Sequence, residues 1–299
     1  MRAVVAYRGS DDGPGALLLG AALRRTTGAE LSVVAVLPRV SFGGEDRADK
    51  EYRDFLDEVA ARARQDADAA LAADGRTVDF ERVSSTSVAA GLAQAAEDRS
   101  ADVLILGCAA AATAGSVVLG SVAERLLHSS PVPVMLAPHE WNAGAGPSFT
   151  RLTCAYAGTA RSREALVASC VLAERYGLDL RVATFVPRAA TMYPLEVGLD
   201  AEDMVAAQWA EQVVEVHEEA RELCKEHGID DVELVVGRGR GWAGALQAVP
   251  WRDDEVLVFG SSRLGQIARV FLGSNASRIL RNTPVPTLVV PCGTTSWSS

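Results

Sequence analysis

The stretch LGSNASRILRNTPVPTLVVP (Leu272–Pro291) repeats LGSVAERLLHSSPVPVMLAP (Leu119–Pro138) at an offset of 153 residues. Three more pairs keep the same order: AYRGS and AYAGT (Ala6 and Ala155), LSVVAVLP and LRVATFVP (Leu31 and Leu180), ADVLILG and DEVLVFG (Ala101 and Asp254). The offset drifts only from 149 to 153, so the chain is one unit of about 150 residues written twice. That length is a domain, not a solenoid repeat. We therefore expect a first domain over 1–138, a linker over 139–150 carrying HEWNAGAGPS, a second domain over 151–292 and a tail over 293–299.

Each unit alternates strand and helix patterns. In the first, RAVVAY reads as a buried strand and GALLLGAALRRTTG as a helix stopped by glycine. ELSVVAVL is a strand, and DKEYRDFLDEVAARARQDADAALAADG is a long amphipathic helix ending at Gly75. TVDFERV alternates, as an outer strand does, and SVAAGLAQAAEDR is a helix. DVLILG, the helix GSVAERLLHSS and the strand VPVMLA complete the unit. Continuous apolar strands separated by helices require a parallel sheet covered on both faces. The fold class is α/β, with two tandem Rossmann-like doubly wound domains, each a five-stranded parallel sheet flanked by helices. Ligands on such sheets bind at the carboxyl ends of strands, where strand order reverses.

Composition removes several classes of function. The formal net charge is −10, with −6 up to Pro147 and −4 beyond it, so neither half offers a basic face and no nucleic-acid partner is expected. The cysteines Cys108, Cys154, Cys170, Cys224 and Cys292 show no CxxC and no paired spacing. They read as reduced, mostly buried thiols of a cytoplasmic protein. No apolar run reaches transmembrane length, so no membrane partner is expected.

The chemistry concentrates in two loops. Gly107 and Gly120 lie 13 residues apart, as do Gly260 and Gly273, and each second glycine is followed by serine and a helix. A buried strand delivers such a loop to the sheet edge. Glycine lets backbone approach a ligand, and the free N–H groups of the next helix, aided by its dipole and the hydroxyl of Ser121 or Ser274, face a negative charge. The bland alternative is a tight strand-to-helix turn with serine as the cap.

The spacing G-x2-G-x9-G-[ST] after the fourth strand, then a helix, then PVP into a fifth strand, resembles the universal stress protein family. So does the opening VVAYRGS. The resemblance covers nearly the whole chain, once per half, and makes it similar to a tandem, two-domain member. It implies a bacterial stress-response regulator or sensor that binds ATP or AMP, or a nucleotide-free regulatory protein. It also implies pairing through the fifth strands, met within one chain in tandem members so that the halves pack as a pseudo-dimer. A homodimer of such chains stays open. The first glycine of the family motif falls on Gly107 and Gly260, and the third on Gly120 and Gly273, beside Ser121 and Ser274-Asn275. The middle glycine falls on Ala110 and Arg263 and is missing twice. The first-strand Asp falls on Arg8 and Ala157 and is also missing twice, so no metal is expected. The wall beside the base falls on Val36 and Phe185.

The second half is the better candidate for a nucleotide, since Arg263 stands to meet phosphates and Gly265 restores flexibility. In the first half Arg8 offers a direct phosphate partner in place of a metal-binding carboxylate. The competing reading is an interaction module without nucleotide, acting through its surfaces.

Other signals are discounted. Gly239, Gly241 and Gly244 spell G-x-G-x-x-G, but after the third strand of their unit and with no acidic residue closing the next strand. HEEAR (His217–Arg221) lacks the second histidine of a zinc site and reads as a solvated helix face. No G-x-S-x-G occurs and His128, His139, His217 and His227 show no ligand spacing, so neither enzyme nor catalytic residue is expected. Trp141 and Trp297 follow the fifth strands, as packing anchors at the seam or as frayed ends. Those strands, Val132–Ala137 and Val285–Val290, are expected to pair, because each would otherwise leave an apolar edge open.

Overall fold

The computed structural model describes residues 1–9, 14–39, 47–72, 78–108, 119–138, 141, 148–188, 199–261 and 274–291. Arg263, Gly265, Gly273, Cys292 and Trp297, named above, lie outside them. Among the described residues, the first half forms β1 (Arg2–Ala6), α1 (Gly15–Thr27), β2 (Glu30–Pro38), α2 (Arg47–Leu71), β3 (Asp79–Ser85), α3 (Val88–Asp98), β4 (Val103–Leu106), α4 (Ser121–Ser129) and β5 (Val134–Leu136). The second forms β6 (Arg151–Ala155), α5 (Ala160–Tyr176), β7 (Asp179–Arg188), α6 (Leu199–Glu226), β8 (Glu233–Arg240), α7 (Gly241–Gln247), β9 (Glu255–Gly260), α8 (Ser274–Asn282) and β10 (Thr287–Val290).

Local sequence explains the boundaries. The helices α1 and α5 both stop on a left-handed glycine, Gly28 at φ 71° and Gly177 at φ 64°, whose N–H bonds back to the carbonyl four residues earlier. At the other end of α5, Thr159 and Ser162 close a capping box. Ser87 caps α3 by accepting from the Ala90 N–H. The strands β4 and β5 are buried along their whole length, whereas β3 alternates, as an outer strand must.

All ten strands join one sheet in the order β3-β2-β1-β4-β5-β10-β9-β6-β7-β8. Every pair is parallel except β5 with β10, which is antiparallel. The fifth strands therefore do pair, although each begins two residues later than expected, past the second proline of PVP. That proline's carbonyl accepts from the neighbouring strand in both halves: Leu104 N–H to Pro133 O and Leu257 N–H to Pro286 O, each 2.9 Å. A buried hydroxyl braces each turn. Ser130 donates to Val132 O at 2.7 Å, and Thr283 donates to Val285 O at 3.3 Å.

The register at the seam is self-complementary. Met135 faces Leu288, its own counterpart at the 153-residue offset, while Leu136 faces Thr287 and Val134 faces Val289. An approximate two-fold axis thus runs through the Met135–Leu288 pair, as in an isologous dimer. One apolar layer collects α1, α2, α5 and α6 on one face of the sheet, and another collects α3, α4, α7 and α8 on the opposite face. Both layers run unbroken across the seam. Trp141 is an anchor: its ring stacks on Phe149 at 6.1 Å, and the Phe149 N–H is held by Thr26 Oγ1 of α1 at 2.7 Å. Among the described residues, no helix is long and apolar enough to cross a membrane.

Candidate functional site

The carboxyl ends of β1, β2 and β4 meet the N-terminus of α4 in the first half. Between them lies a cleft of about 290 Å³ lined by Arg8, Val36, Leu92, Gly107, Gly120 and Ser121, with Cys108 and Val122 at its rim. It gathers all five residues that sequence reasoning placed here, and adds the apolar flank of α3. Val36 is buried and forms a wall against α3, where Gly91 has no side chain. An added Cβ there would stand 2.8 Å from a Val36 methyl, so the glycine lets wall and helix close together. Arg8 and Ser121 are exposed at the mouth.

Gly120 itself is the N-cap of α4, at φ −71° and ψ 162°, and Ser121 is the first helical residue. Two expectations change here. Serine does not cap the helix. Nor does the turn demand glycine, since those angles are open to any residue. What glycine supplies at position 120 is bare backbone at the start of a helix whose first N–H groups lie at the cleft.

The same edge in the second half is built differently. Phe185, the counterpart of Val36, stacks on Trp251 with centroids 6.4 Å apart. Trp251 is fixed by its indole N–H to Leu246 O at 2.8 Å, and carries the Arg181 guanidinium 5.3 Å from its ring centroid. Gly260 abuts the first turn of α5: a Cβ there would stand 2.5 Å from the Arg161 carbonyl oxygen. Its missing side chain therefore has a packing reason. Ser274 and Asn275 open α8 and are exposed. In the G-x-G-x-x-G run, Gly239 and Gly244 are explained by packing and Gly241 by its left-handed backbone at φ 64°. A Cβ on Gly239 would meet Gly244 carbonyl carbon at 2.2 Å, and one on Gly237 would meet Ala245 O at 2.2 Å, so β8 and α7 touch backbone to backbone.

Behind this edge α6 contributes polar groups. The expectation that HEEAR is a solvated face fails at His217, which is half-buried with Nε2 3.2 Å from Thr184 Oγ1. The Thr184 hydroxyl is already committed to Tyr156 O at 3.0 Å, so the imidazole must donate through Nε2. Burial, and then the nearby Arg221, hold the His217 pKa below its ordinary value. Tyr156 donates to the Glu219 carboxylate, which also pairs with Arg163. The tyrosine bond lowers the Glu219 pKa, while burial and then Glu219 raise that of Tyr156. The first half repeats this latch with Tyr7 donating to Asp66 at 2.9 Å.

The amino ends of the strands reverse the picture. In the second half Glu255 is fully buried and receives Arg151 at 2.6 Å and Arg181 at 2.5 Å, with Thr153 also donating to it. Burial lowers the Arg181 pKa, although Glu255 opposes the shift. The first-half counterparts are light: Asp102 accepts the Arg2 backbone N–H at 2.7 Å, and Ser32 donates to Asp79 at 2.7 Å. Ser32 and Asp79 border an open polar cleft of about 370 Å³. Sequence reasoning missed the buried network; its signal was the charge that opens RLTCA and EVLVFG at strand starts. Among the described residues no group of three His, Cys, Asp or Glu is placed to hold a metal ion.

Comparison with known proteins gives a consistent outcome. The model of the "Universal stress protein family" matches residues 1–138 and again 148–291. A universal stress protein of Mycobacterium tuberculosis is 40% identical over 299 residues, covering 97% of this chain and all of the relative; one of Mycobacterium bovis is equally similar. Among solved structures, a universal stress protein of Archaeoglobus fulgidus superposes with a TM-score of 0.64 at 18% identity, covering 98% of both chains. One described as a putative universal stress protein of Pseudomonas aeruginosa superposes with a TM-score of 0.54 at 15% identity, covering 97% of this chain and 93% of the other.

Proposed function

This chain belongs to the universal stress protein family as a tandem, two-domain member, and from that premise we propose that its first half binds an adenine nucleotide, ATP or AMP, as the ligand-sensing element of a stress-response protein. The single observation that carries this reading is the first-half cleft. It brings Arg8, Val36, Gly107, Gly120 and Ser121 together from three strand ends and a helix N-terminus. An apolar wall suits a base. Bare backbone N–H groups at the start of α4, the Ser121 hydroxyl and the Arg8 guanidinium suit phosphates. Sequence alone pointed to the second half, on Arg263 and Gly265. The packing of Phe185 against Trp251, and of Gly260 against α5, moves the preference to the first.

Arg8 stands where a carboxylate would recruit a cation, so binding in this reading does not depend on a divalent metal. A charged hydrogen bond to phosphate contributes about 1.5–3 kcal/mol, roughly a 10- to 100-fold effect on affinity. Titration calorimetry of the full chain with ATP and AMP tests the proposal. Arg8→Ala should weaken binding by that factor and Ser121→Ala by less, while excess EDTA leaves the affinity unchanged. Ser121 is exposed, so its loss leaves stability nearly intact and separates ligand contact from folding. A wild-type chain silent to both nucleotides would favour the second reading, an interaction module acting through its surfaces.

A further inference from the structure

Three thiols share one core in the second half and have no counterpart in the first. Cys154 on β6, Cys170 on α5 and Cys224 on α6 are all fully buried. The repeat places Val5, Ala21 and Leu71 at the matching positions, ordinary apolar residues of the same layer. The sequence spacing gave no hint of a pair, since Cys170 and Cys224 are 54 residues apart. Packing of α5 on α6 brings their sulfurs to 3.8 Å, with the Cys170 S–H directed at the Cys224 sulfur.

We infer that Cys170 and Cys224 are a modification site: a hydroperoxide oxidises them to a disulfide that clamps α6 onto α5. The sulfurs need close only from 3.8 Å to the bond length of about 2.05 Å. Cys224 accepts the Cys170 hydrogen, and that bond lowers its pKa while raising that of Cys170, with burial adding to the rise. Cys224 is therefore the attacking sulfur. Its thiolate forms an S–O bond as the O–O bond breaks, releasing hydroxide when the oxidant is hydrogen peroxide. Cys170 sulfur then attacks Cys224 sulfur, the S–S bond forms, the S–O bond breaks, and the departing oxygen leaves as water with the Cys170 proton. Overall, two thiols and one peroxide give one disulfide and two waters. Cys154 is the bystander: burial pushes its thiol up to about 12, so it presents almost no thiolate.

The clamp has a place to act. Cys224 lies on the same helix as His217 and Glu219, which hold the carboxyl ends of β6 and β7. A covalent tie between α5 and α6 fixes that helix against the edge where the half would meet a partner. The inference does not depend on nucleotide binding in the first half.

The test uses the whole chain. Reduced protein is exposed to hydrogen peroxide, quenched with catalase, alkylated after denaturation and cut with trypsin. The expected product joins the peptides Glu164–Arg175 and Glu222–Lys225 through Cys170 and Cys224, while the peptide Leu152–Arg161 carries an alkylated Cys154. The thermal midpoint should rise by roughly 5 °C on oxidation and fall back with dithiothreitol, as closing a loop of this length implies. Cys170→Ala should abolish both changes, and Cys108→Ala should leave both in place. Full alkylation of Cys170 and Cys224 after peroxide, or a link that uses Cys154 instead, would overturn the assignment.

Discussion

The two halves share a fold and a seam, yet their edges are opposites. In the first half the carboxyl edge is an open cleft and the amino edge carries light polar contacts beside a second open cleft. In the second, Phe185 stands where the first half has Val36 and stacks on Trp251, and the amino edge holds a buried Arg–Glu–Arg cluster. The backbone layout is common to both, so the side chains at corresponding positions make the difference. Val36 against Phe185, and Ser32 against Arg181, are the substitutions that set the contrast. Fold alone therefore assigns no function to either half.

The largest effect should come from the amino edges. Glu255→Ala leaves two guanidinium groups, Arg151 and Arg181, buried with only the exposed Glu233 carboxylate, 3.3 and 3.9 Å away, to balance them, and should cost about 3–5 kcal/mol in urea unfolding. The matching Asp102→Ala removes one exposed acceptor and should cost less than about 1 kcal/mol. Equal costs would erase the contrast between the halves. Next is the seam they share. Leu288→Lys places an ammonium beside Met135, and should cost about 2–4 kcal/mol and separate one unfolding transition into two. Cleavage within the 139–150 linker by a trace protease should quicken with it. A single transition with an unchanged midpoint would show that the pairing does not couple the halves.

A smaller effect probes the cleft. Val36→Phe installs the second half's wall in the first and should lower nucleotide affinity roughly 10-fold, about 1.4 kcal/mol, read by calorimetry. If affinity holds, the wall does not face the base. The smallest is a slope. His217 has a lowered pKa in the folded chain, so the unfolded chain binds the proton more readily. Stability is then complete above the ordinary imidazole value of about 6.5 and is lost as pH falls through the folded value. His217→Gln should flatten that part of the profile, and a slope that survives would place the titration elsewhere.

Much of this architecture was legible because the repeat carried it. Two copies of one hydrophobic pattern fix strand order, helix faces and the apolar edge that must be hidden. The seam was readable from the apolar strands that follow PVP in both copies, together with the family resemblance. The cleft was readable in part: Arg8, Val36, Gly107, Gly120 and Ser121 sit on strand ends, where a pattern points. Leu92 was missed, since a helix flank joins the cleft only through tertiary packing. The Glu255 network stayed hidden because a charge at the start of a strand usually reaches water, and nothing local says that Trp251 and Pro250 will cover it. The Cys170–Cys224 contact has no sequence signature, since two helices far apart in the chain make it.

The antiparallel join of β5 to β10 has a genetic consequence. In a dimer of identical chains every substitution arrives twice, once in each site, so a change that helps one edge is imposed on the other. A covalent tandem lifts that restriction. The seam stays tied, because Met135 and Leu288 must still fit each other across an axis that passes between them. The strand ends are released, and because the two halves of the sheet run in opposite directions their carboxyl edges look out on opposite sides of the molecule. One gene thus encodes two addresses that no single small ligand spans, each free to change its reader without rewriting the other.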